Sequence, residues 1–158
     1  ARRLQDGDKS GNTRRALAAF PNQEIVKKIL DKYFIEGGKS PEASYVMVPK
    51  ITLEQKREAQ EILIVANFVE VWLAKEGHNG AIGINFLHKI QMTTAAGVFG
   101  AMLAGVDYII MGAGIPREIP RYITFDVKVF SSQLPKRFLH LVVHAPIFDR
   151  NEQSAETL

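Results

Sequence analysis

A chain of 158 residues with 46% hydrophobic and 23% charged residues has the composition of one globular domain with a core of its own. Its apolar runs are all shorter than the ~18–20 residues that a membrane-spanning helix needs, and no signal-peptide pattern follows Ala1. Cysteine is absent, which excludes disulfide bonds, thiolate catalysis and cysteine-ligated zinc. We therefore expect a cytoplasmic protein that does not enter a membrane.

The net charge of +3 is carried by the first 15 residues, and the rest of the chain is balanced. A basic terminus of this kind can contact nucleic-acid phosphates. No aromatic RNA-binding pattern, zinc finger or basic helix accompanies it, so we expect a solvated, frayed terminus and no nucleic-acid partner. The charged residues concerned are Arg2, Arg3, Lys9, Arg14 and Arg15, against Asp6 and Asp8.

Two helices are predicted in the first part of the chain. A short one is compatible with residues 13–20. A clearer one opens after Pro21 and Asn22 and ends before Gly37 and Gly38. Its apolar residues recur at helical spacing and form one stripe: Ile25, Val26, Ile29, Leu30, Tyr33 and Phe34.

A loop over residues 36–50 and a long helix follow. A loop of this length between two helices is typical of a functional segment or a cover. Thr52 and Gln55 have the spacing of a capping box, which predicts that the helix begins there and runs to about Glu76. The second half of this helix is apolar on most sides, so we expect it to be largely buried.

Residues 81–116 predict a β-α-β unit. A strand at 81–87 is followed by a helix at 95–104, which Thr93 or Thr94 would cap. This helix is rich in small residues, which would let it lie close to a sheet. A near-continuous apolar strand at 106–111 follows and is expected to be covered on both faces. Because the connection is short and contains one helix, the two strands are predicted to be parallel.

The chain therefore divides into an α/β part, residues 1–120, and a divergent tail, residues 121–158. In the tail, alternation at 123–129 predicts a strand, and 139–143 is compatible with a second strand that forms a hairpin with it. The last residues, from Arg150, are polar and expected to be disordered.

Polar and small residues stand where the two strands of the β-α-β unit end, which is where parallel α/β folds bind ligands. From the residue types alone, Asn85 is interpreted either as a buried amide that bonds loop backbone or as a donor and acceptor for a planar heterocycle. The candidate site residues are Asn85, Lys89 and Gln91 after the first strand, and Gly112, Ala113 and Gly114 after the second. We identify no catalytic residue and no metal site.

Two segments carry a family resemblance. GINFLHKIQ at 83–91 and GAMLAGVDYIIMGAGIP at 100–116 resemble the FMN-dependent nitronate monooxygenases, formerly 2-nitropropane dioxygenases. The similarity is greatest to the long subgroup related to the enoyl-reductase component of polyunsaturated fatty acid synthases. The family implies a TIM barrel that binds FMN at the carboxyl ends of its strands and oxidises alkyl nitronates with dioxygen.

The resemblance also implies roles for the candidate residues. Asn85 matches an asparagine that contacts the flavin, and the turn at 112–114 matches one that lines the flavin site. Lys89 and Gln91 match loop residues of the subgroup, whereas His88 replaces its usual glutamate.

A complete barrel takes eight β-α units in about 250 residues, so we expect a partial TIM barrel with an extra helical segment before the β-α-β unit. The predicted function is that of a fragment of an FMN-dependent nitronate monooxygenase-like oxidoreductase acting on a small molecule. Three alternatives stay open. They are an enoyl-reductase-type flavoprotein, a non-catalytic barrel fragment that needs a partner, such as another copy of itself, and a small module whose basic arm binds nucleic acid.

Overall fold

The computed structural model describes residues 1–52, 54, 56–87 and 91–112. Within them the elements are, in chain order, α1 (Arg2–Gln5), α2 (Asn12–Ala18), α3 (Gln23–Tyr33), α4 (Arg57–Ala74), β1 (Gly83–Leu87), α5 (Gln91–Leu103) and β2 (Tyr108–Gly112). The predicted tail, with its strands at 123–129 and 139–143 and its disordered end, lies outside the described residues. So do Gln55, His88, Lys89, Ala113 and Gly114.

The N-terminal segment is packed, so the prediction of a frayed terminus is wrong. Leu4 and Gln5 of α1 are buried. The Gln5 amide nitrogen donates to the Val46 carbonyl (3.0 Å), and the Val46 N–H donates to the Gln5 amide oxygen (2.7 Å). The Lys39 N–H also donates to the Gln5 carbonyl, at 2.7 Å. The loop after α3 is therefore fastened across α1, and these long-range bonds order a segment that looks polar and loose in sequence.

Three of the four arginines of the N-terminal segment, Arg3, Arg14 and Arg15, pair with carboxylates. Arg3 bonds Glu70 of α4 through both terminal nitrogens, at 2.9 and 3.1 Å. Arg15 bonds Glu76 with two nitrogens, at 2.8 and 2.7 Å. Because all four side chains are substantially exposed, solvent screens both pairs and they contribute little to stability. Their consequence is that Arg3 and Arg15 are held against the fold rather than carried on a free arm.

A buried carboxylate organises the start of α2. Asp8 has a positive φ of 43°, and its oxygens accept hydrogen bonds from the backbone N–H groups of Thr13 (3.0 Å) and Arg14 (2.9 Å). The Arg14 side chain adds an ion pair at 3.2 Å. Burial raises the pKa of the Asp8 carboxyl, but these hydrogen bonds outweigh it and the net pKa is lowered. Asp8 thus replaces a side-chain cap that the glycine preceding α2 cannot supply.

Helix α3 confirms the prediction made from its cap and stripe. The Asn22 side chain accepts from the backbone N–H groups of Glu24 (3.1 Å) and Ile25 (3.2 Å). The buried residues of the helix are Val26, Ile29 and Tyr33, all from the predicted stripe.

Helix α4 begins at Arg57 rather than next to Thr52, so Thr52 is not its cap. The Thr52 hydroxyl instead donates to the Glu54 carbonyl at 2.7 Å. The second half of α4 is mostly buried or half-buried, as predicted, and the rings of Phe20 and Phe68 meet edge to face at 5.0 Å.

Helix α5 lies against both α4 and the sheet, and glycines make this close approach possible. A Cβ atom added at Gly100 would lie 2.1 Å from the carbonyl oxygen of Ile64 in α4. One added at Gly97 would lie 2.8 Å from the Phe86 ring of β1. The predicted role of the small residues is confirmed. The helix begins one turn earlier than predicted, so Thr94 is a buried residue within it rather than its cap.

Strands β1 and β2 pair in parallel, as predicted, with Gly83 opposite Tyr108 and Leu87 opposite Gly112. Ile84, Phe86 and Ile109 point to the side that packs on the core. The prediction that the second strand is covered on both faces is wrong for the described residues, because Tyr108 is 63% exposed and Ile110 is 56% exposed.

Substitution of the two glycines of α5 should have unequal effects. Gly100→Ala should lower the free energy of unfolding by about 2–3 kcal/mol, because the new methyl group would collide with backbone that cannot rotate away. Gly97→Ala should change it by less than about 1 kcal/mol, because the Phe86 ring can turn and alanine favours the helix. Urea unfolding followed by circular dichroism measures both, and equal losses would contradict the assigned contact.

Asp8→Asn should lower the free energy of unfolding at neutral pH by about 1–2 kcal/mol, since the α2 cap and the Arg14 pair lose their charge. Because the folded-state pKa of Asp8 is depressed, its stabilisation is present above the unfolded value near 3.8 and disappears as the pH falls through the folded value. The difference between wild type and variant should therefore shrink below about pH 4. The exposed Asp31→Asn should show neither effect, and a pH-independent difference for Asp8→Asn would refute the role.

Candidate functional site

One face of the two-stranded sheet is uncovered in the described part of the chain. It consists of alternate residues of each strand, and we call it the open face: Gly83, Asn85 and Leu87 of β1, and Tyr108, Ile110 and Gly112 of β2. Leu87 is 43% exposed, and Tyr108 and Ile110 are more than half exposed. Exposed apolar side chains this close together make the open face a candidate binding surface.

Asn85 and Gly112 lie together on the open face. Asn85 is opposite Ile110 in the register, and its side-chain oxygen lies 3.5 Å from the position that a Cβ atom would take at Gly112. Asn85 is exposed, so the expectation that its amide is buried is wrong. A hydrogen bond from it to the backbone of the following loop stays a prediction, because residues 88–90 lie outside the described residues. The structure therefore puts an amide next to bare backbone at the carboxyl end of a parallel strand pair.

The other candidate residues are less defined. Gln91 is the first residue of α5. Lys89, Ala113 and Gly114 lie outside the described residues, so the expectation that they join Asn85 and Gly112 stays a prediction.

The register that creates the open face is anchored at the opposite end of the strands. The Asp107 carboxylate accepts from the Ile82 N–H at 2.7 Å and pairs with the Lys75 ammonium at 2.5 Å. The backbone N–H groups of Asp107 and Tyr108 both donate to the Ile82 carbonyl, at 2.9 and 3.2 Å. This cluster ties the end of α4 to the start of both strands.

Sequence reasoning missed Leu87, Tyr108 and Ile110 as site residues, and it missed Asp107 as their anchor. The strand at 106–111 reads as a continuous apolar run, which hides which side chains face outward. The only signal in the sequence was a glycine at one end of each strand. Gly83 and Gly112 have no side chains that could cover their cross-strand neighbours.

Other concave surfaces lie among the helices. A groove of about 480 Å³ runs between α3 and the start of α4, and Lys32 pairs with Glu58 there. A cavity of about 250 Å³ lies between α1, α2, α3 and α4. Neither includes a residue of the open face. Although they are the more concave sites, we favour the carboxyl end of the open face, where Leu87 and Gly112 end the two parallel strands and Asn85 lies beside Gly112.

Nowhere among the described residues do three or more histidine or carboxylate side chains gather in a way that could hold a metal ion. None of the helices that these residues form combines the length and the apolar character required to cross a membrane.

The comparisons with known proteins give no relative: the chain matches no protein-family model, and no curated protein or solved structure is significantly similar to it.

Removal of the Asp107 carboxylate should loosen the sheet. Asp107→Ala should lower the free energy of unfolding by about 1–3 kcal/mol, because the Ile82 N–H loses its acceptor. Asp107→Asn keeps an acceptor oxygen and loses only the partly exposed ion pair, so it should cost about 0–1 kcal/mol. Denaturant unfolding of both variants and amide exchange at Ile82 test this, and equal losses would show that the charge rather than the hydrogen bond matters.

Proposed function

We propose that this chain supplies part of the flavin site of an FMN-dependent, nitronate monooxygenase-like oxidoreductase with a (β/α)8 barrel. The observation that carries the proposal is the position of Asn85 beside Gly112 on the open face. The two residues that resemble flavin contacts of that family come from different strands, and the parallel register brings them side by side.

The barrel part of the proposal is supported by how the sheet is covered. In a (β/α)8 barrel, parallel strands carry helices on the outside and turn their other face to the interior. Here α5 packs against Phe86 on one face, and the open face carries Leu87, Tyr108 and Ile110. Such side chains fit a barrel interior, where side chains of the neighbouring strands would cover them and the flavin would lie at the carboxyl ends.

The residues of the site fit a flavin ring. The Asn85 amide offers both a donor and an acceptor, as the pyrimidine edge of the ring requires. Gly112 has no side chain, so a flat ring can approach its backbone closely. When bound, FMN would supply the redox chemistry by which electrons pass from an alkyl nitronate to dioxygen. The chain's own part is to orient the ring and shield one of its faces. Lys89, Gln91, Ala113 and Gly114 complete the site as proposed.

Two alternatives share the same surface. An enoyl-reductase-type flavoprotein would use the same ring contacts and differ in taking an enoyl compound as substrate. A non-catalytic chain would cover the open face with a partner, such as a second copy, because each strand also has an edge unpaired among the described residues. The pairing of Arg3 and Arg15 with glutamates favours neither, but it supports the expectation that nucleic acid is not a partner. A cytoplasmic location remains part of the proposal.

Titration of the purified chain with FMN tests the proposal. We expect a perturbed flavin absorbance spectrum and quenched fluorescence on binding. Asn85→Ala should weaken binding by about 1–3 kcal/mol, because the ring edge loses its hydrogen-bond partner. The exposed Asn79→Ala, in the loop before β1, is the matched control and should bind FMN like the wild type. A chain with no affinity for FMN would refute the flavin site, and an unchanged affinity in Asn85→Ala would remove Asn85 from it.

The substrate class can be tested on any flavin-loaded chain. Under anaerobic conditions, an alkyl nitronate should bleach the flavin absorbance and dioxygen should restore it, as electrons enter and leave the ring. Bleaching only by a reduced nicotinamide, with reoxidation by an enoyl thioester, would instead establish the enoyl-reductase alternative. If neither the alkyl nitronate nor the reduced nicotinamide bleaches the bound flavin, the result would support the non-catalytic alternative.

A further inference from the structure

We propose that Asn79 is a self-modification site, at which His78 catalyses the conversion of the asparagine side chain into aspartate or isoaspartate. Asn79 and Gly80 form the only Asn-Gly pair in the chain. An asparagine before a glycine is suited to this reaction, because glycine has no side chain that hinders the approach of its backbone nitrogen. The proposal does not depend on the flavin site, which was placed at the other end of β1.

The imidazole ring of His78 holds the nitrogen atom that has to react. The Gly80 backbone N–H donates to His78 Nδ1 at 2.9 Å, and His78 Nε2 lies 2.6 Å from the Ala74 carbonyl oxygen. A backbone N–H only donates and a carbonyl only accepts, so Nδ1 is the acceptor and Nε2 carries the proton. Both contacts together fix the tautomer that presents a basic nitrogen to the Gly80 N–H. The distance is within the range in which a side chain can act as a general base.

Gly80 is also required for this close approach of the ring. A Cβ atom added at Gly80 would lie 3.1 Å from His78 Nδ1, which is a crowded contact. The glycine therefore serves the reaction twice, since it leaves its own nitrogen unhindered and leaves room for the imidazole beside that nitrogen.

The segment between α4 and β1 allows the reaction to proceed. His78, Asn79 and Gly80 are all exposed, so water reaches the reacting groups. Ring closure needs rotation about the Asn79 backbone. Residues 75–82 belong to no helix or strand, so no regular hydrogen-bond ladder opposes that rotation.

The reaction balances with water as its co-reactant and transfers no electrons to or from an outside group. The Gly80 nitrogen attacks Asn79 Cγ while its proton passes to His78 Nδ1, and the new carbon–nitrogen bond closes a cyclic imide. The same proton then passes to the side-chain nitrogen, which leaves as ammonia, and His78 is restored. Water opens the imide at either of its carbonyl groups, which gives aspartate or isoaspartate.

The isoaspartate product would alter the turn that leads into β1. Its main chain is longer by one carbon, because the former Cβ becomes part of the backbone. The backbone of Ile82 is bound by the Asp107 carboxylate at 2.7 Å, and the same carboxylate pairs with Lys75 after α4. The segment that lengthens is thus held at both ends, so the additional carbon strains these contacts, whereas aspartate adds only a charge.

Incubation of the full-length chain at neutral pH, followed by tryptic peptide mapping, tests the proposal. The folded chain and the chain unfolded in urea are compared. We expect Asn79 to convert at least about tenfold faster in the folded chain, since only there is the base positioned. An isoaspartate-specific methyltransferase should label the product. Asn85 falls in the same tryptic peptide, residues 76–89, and should stay unmodified because Phe86 follows it.

Two variants of His78 separate its basicity from its hydrogen bond. His78→Ala removes both, and His78→Gln keeps an acceptor oxygen that is not basic. In each variant the ratio of the folded rate to the unfolded rate should fall to about one or lower, because no base remains beside Gly80. The ratio corrects for any effect of the new side chain on the unfolded chain, and circular dichroism establishes that the variants fold. Asn79→Gln is the control that should stay unmodified, since its ring closure is less favourable.

Each part of the proposal has an outcome that would overturn it. Slower conversion in the folded wild type than in urea would show that the fold protects Asn79. A wild-type ratio in both His78 variants would remove His78 from the reaction. Amide hydrogen exchange at Ile82 should be at least about threefold faster in the purified isoaspartate form than in Asn79→Asp, because the lengthened turn opens more often. Equal exchange would refute the strain on the turn.

Discussion

The close contact of α5 with its two neighbours determines the rest of this structure. Gly100 lets the helix approach the backbone of α4 at Ile64, and Gly97 lets the Phe86 ring of β1 approach the same helix. A helix held this tightly on both sides fixes which face of the sheet is turned inward. It thereby determines which face is left for a ligand or for further strands, because the side chains of each strand alternate between the two faces.

The register of the two strands determines which residues lie together on the open face. The Asp107 carboxylate and the Ile82 backbone align the two strands at their amino ends, and that alignment brings Asn85 next to Gly112 at the other. A shift by one residue would turn Asn85 toward α5 and expose Phe86 instead. The proposed flavin site therefore depends on an anchor at the far end of the strands. It requires no flexible loop to bring its two described residues together.

The sequence alone predicted the elements that depend on residues close together in the chain. The Asn22 cap and the apolar stripe predicted α3, and the short connection through one helix predicted the parallel strand pair. It failed where residues far apart in the chain determine the local structure. Gln5 is ordered by Val46, 41 positions away, and nothing near Gln5 signals it. The near-continuous apolar run of the second strand conceals its outward face, and the apolar neighbours of Asn85 in the first strand favour a buried amide, whereas both are exposed. The flavin itself comes from a family resemblance, and the fold adds only that Asn85 and Gly112 meet.

The most direct test of the central claim is a heteronuclear NMR titration of the isotope-labelled chain with FMN. A ring bound at the carboxyl end of the open face should shift the side-chain amide signals of Asn85 and the backbone amide signal of Gly112. The backbone amide of Val26, in the core of α3, should stay in place. Shifts confined to residues of the helical grooves, such as Ile62, or no shifts at all, would contradict the claim that this face of the sheet is the ligand site.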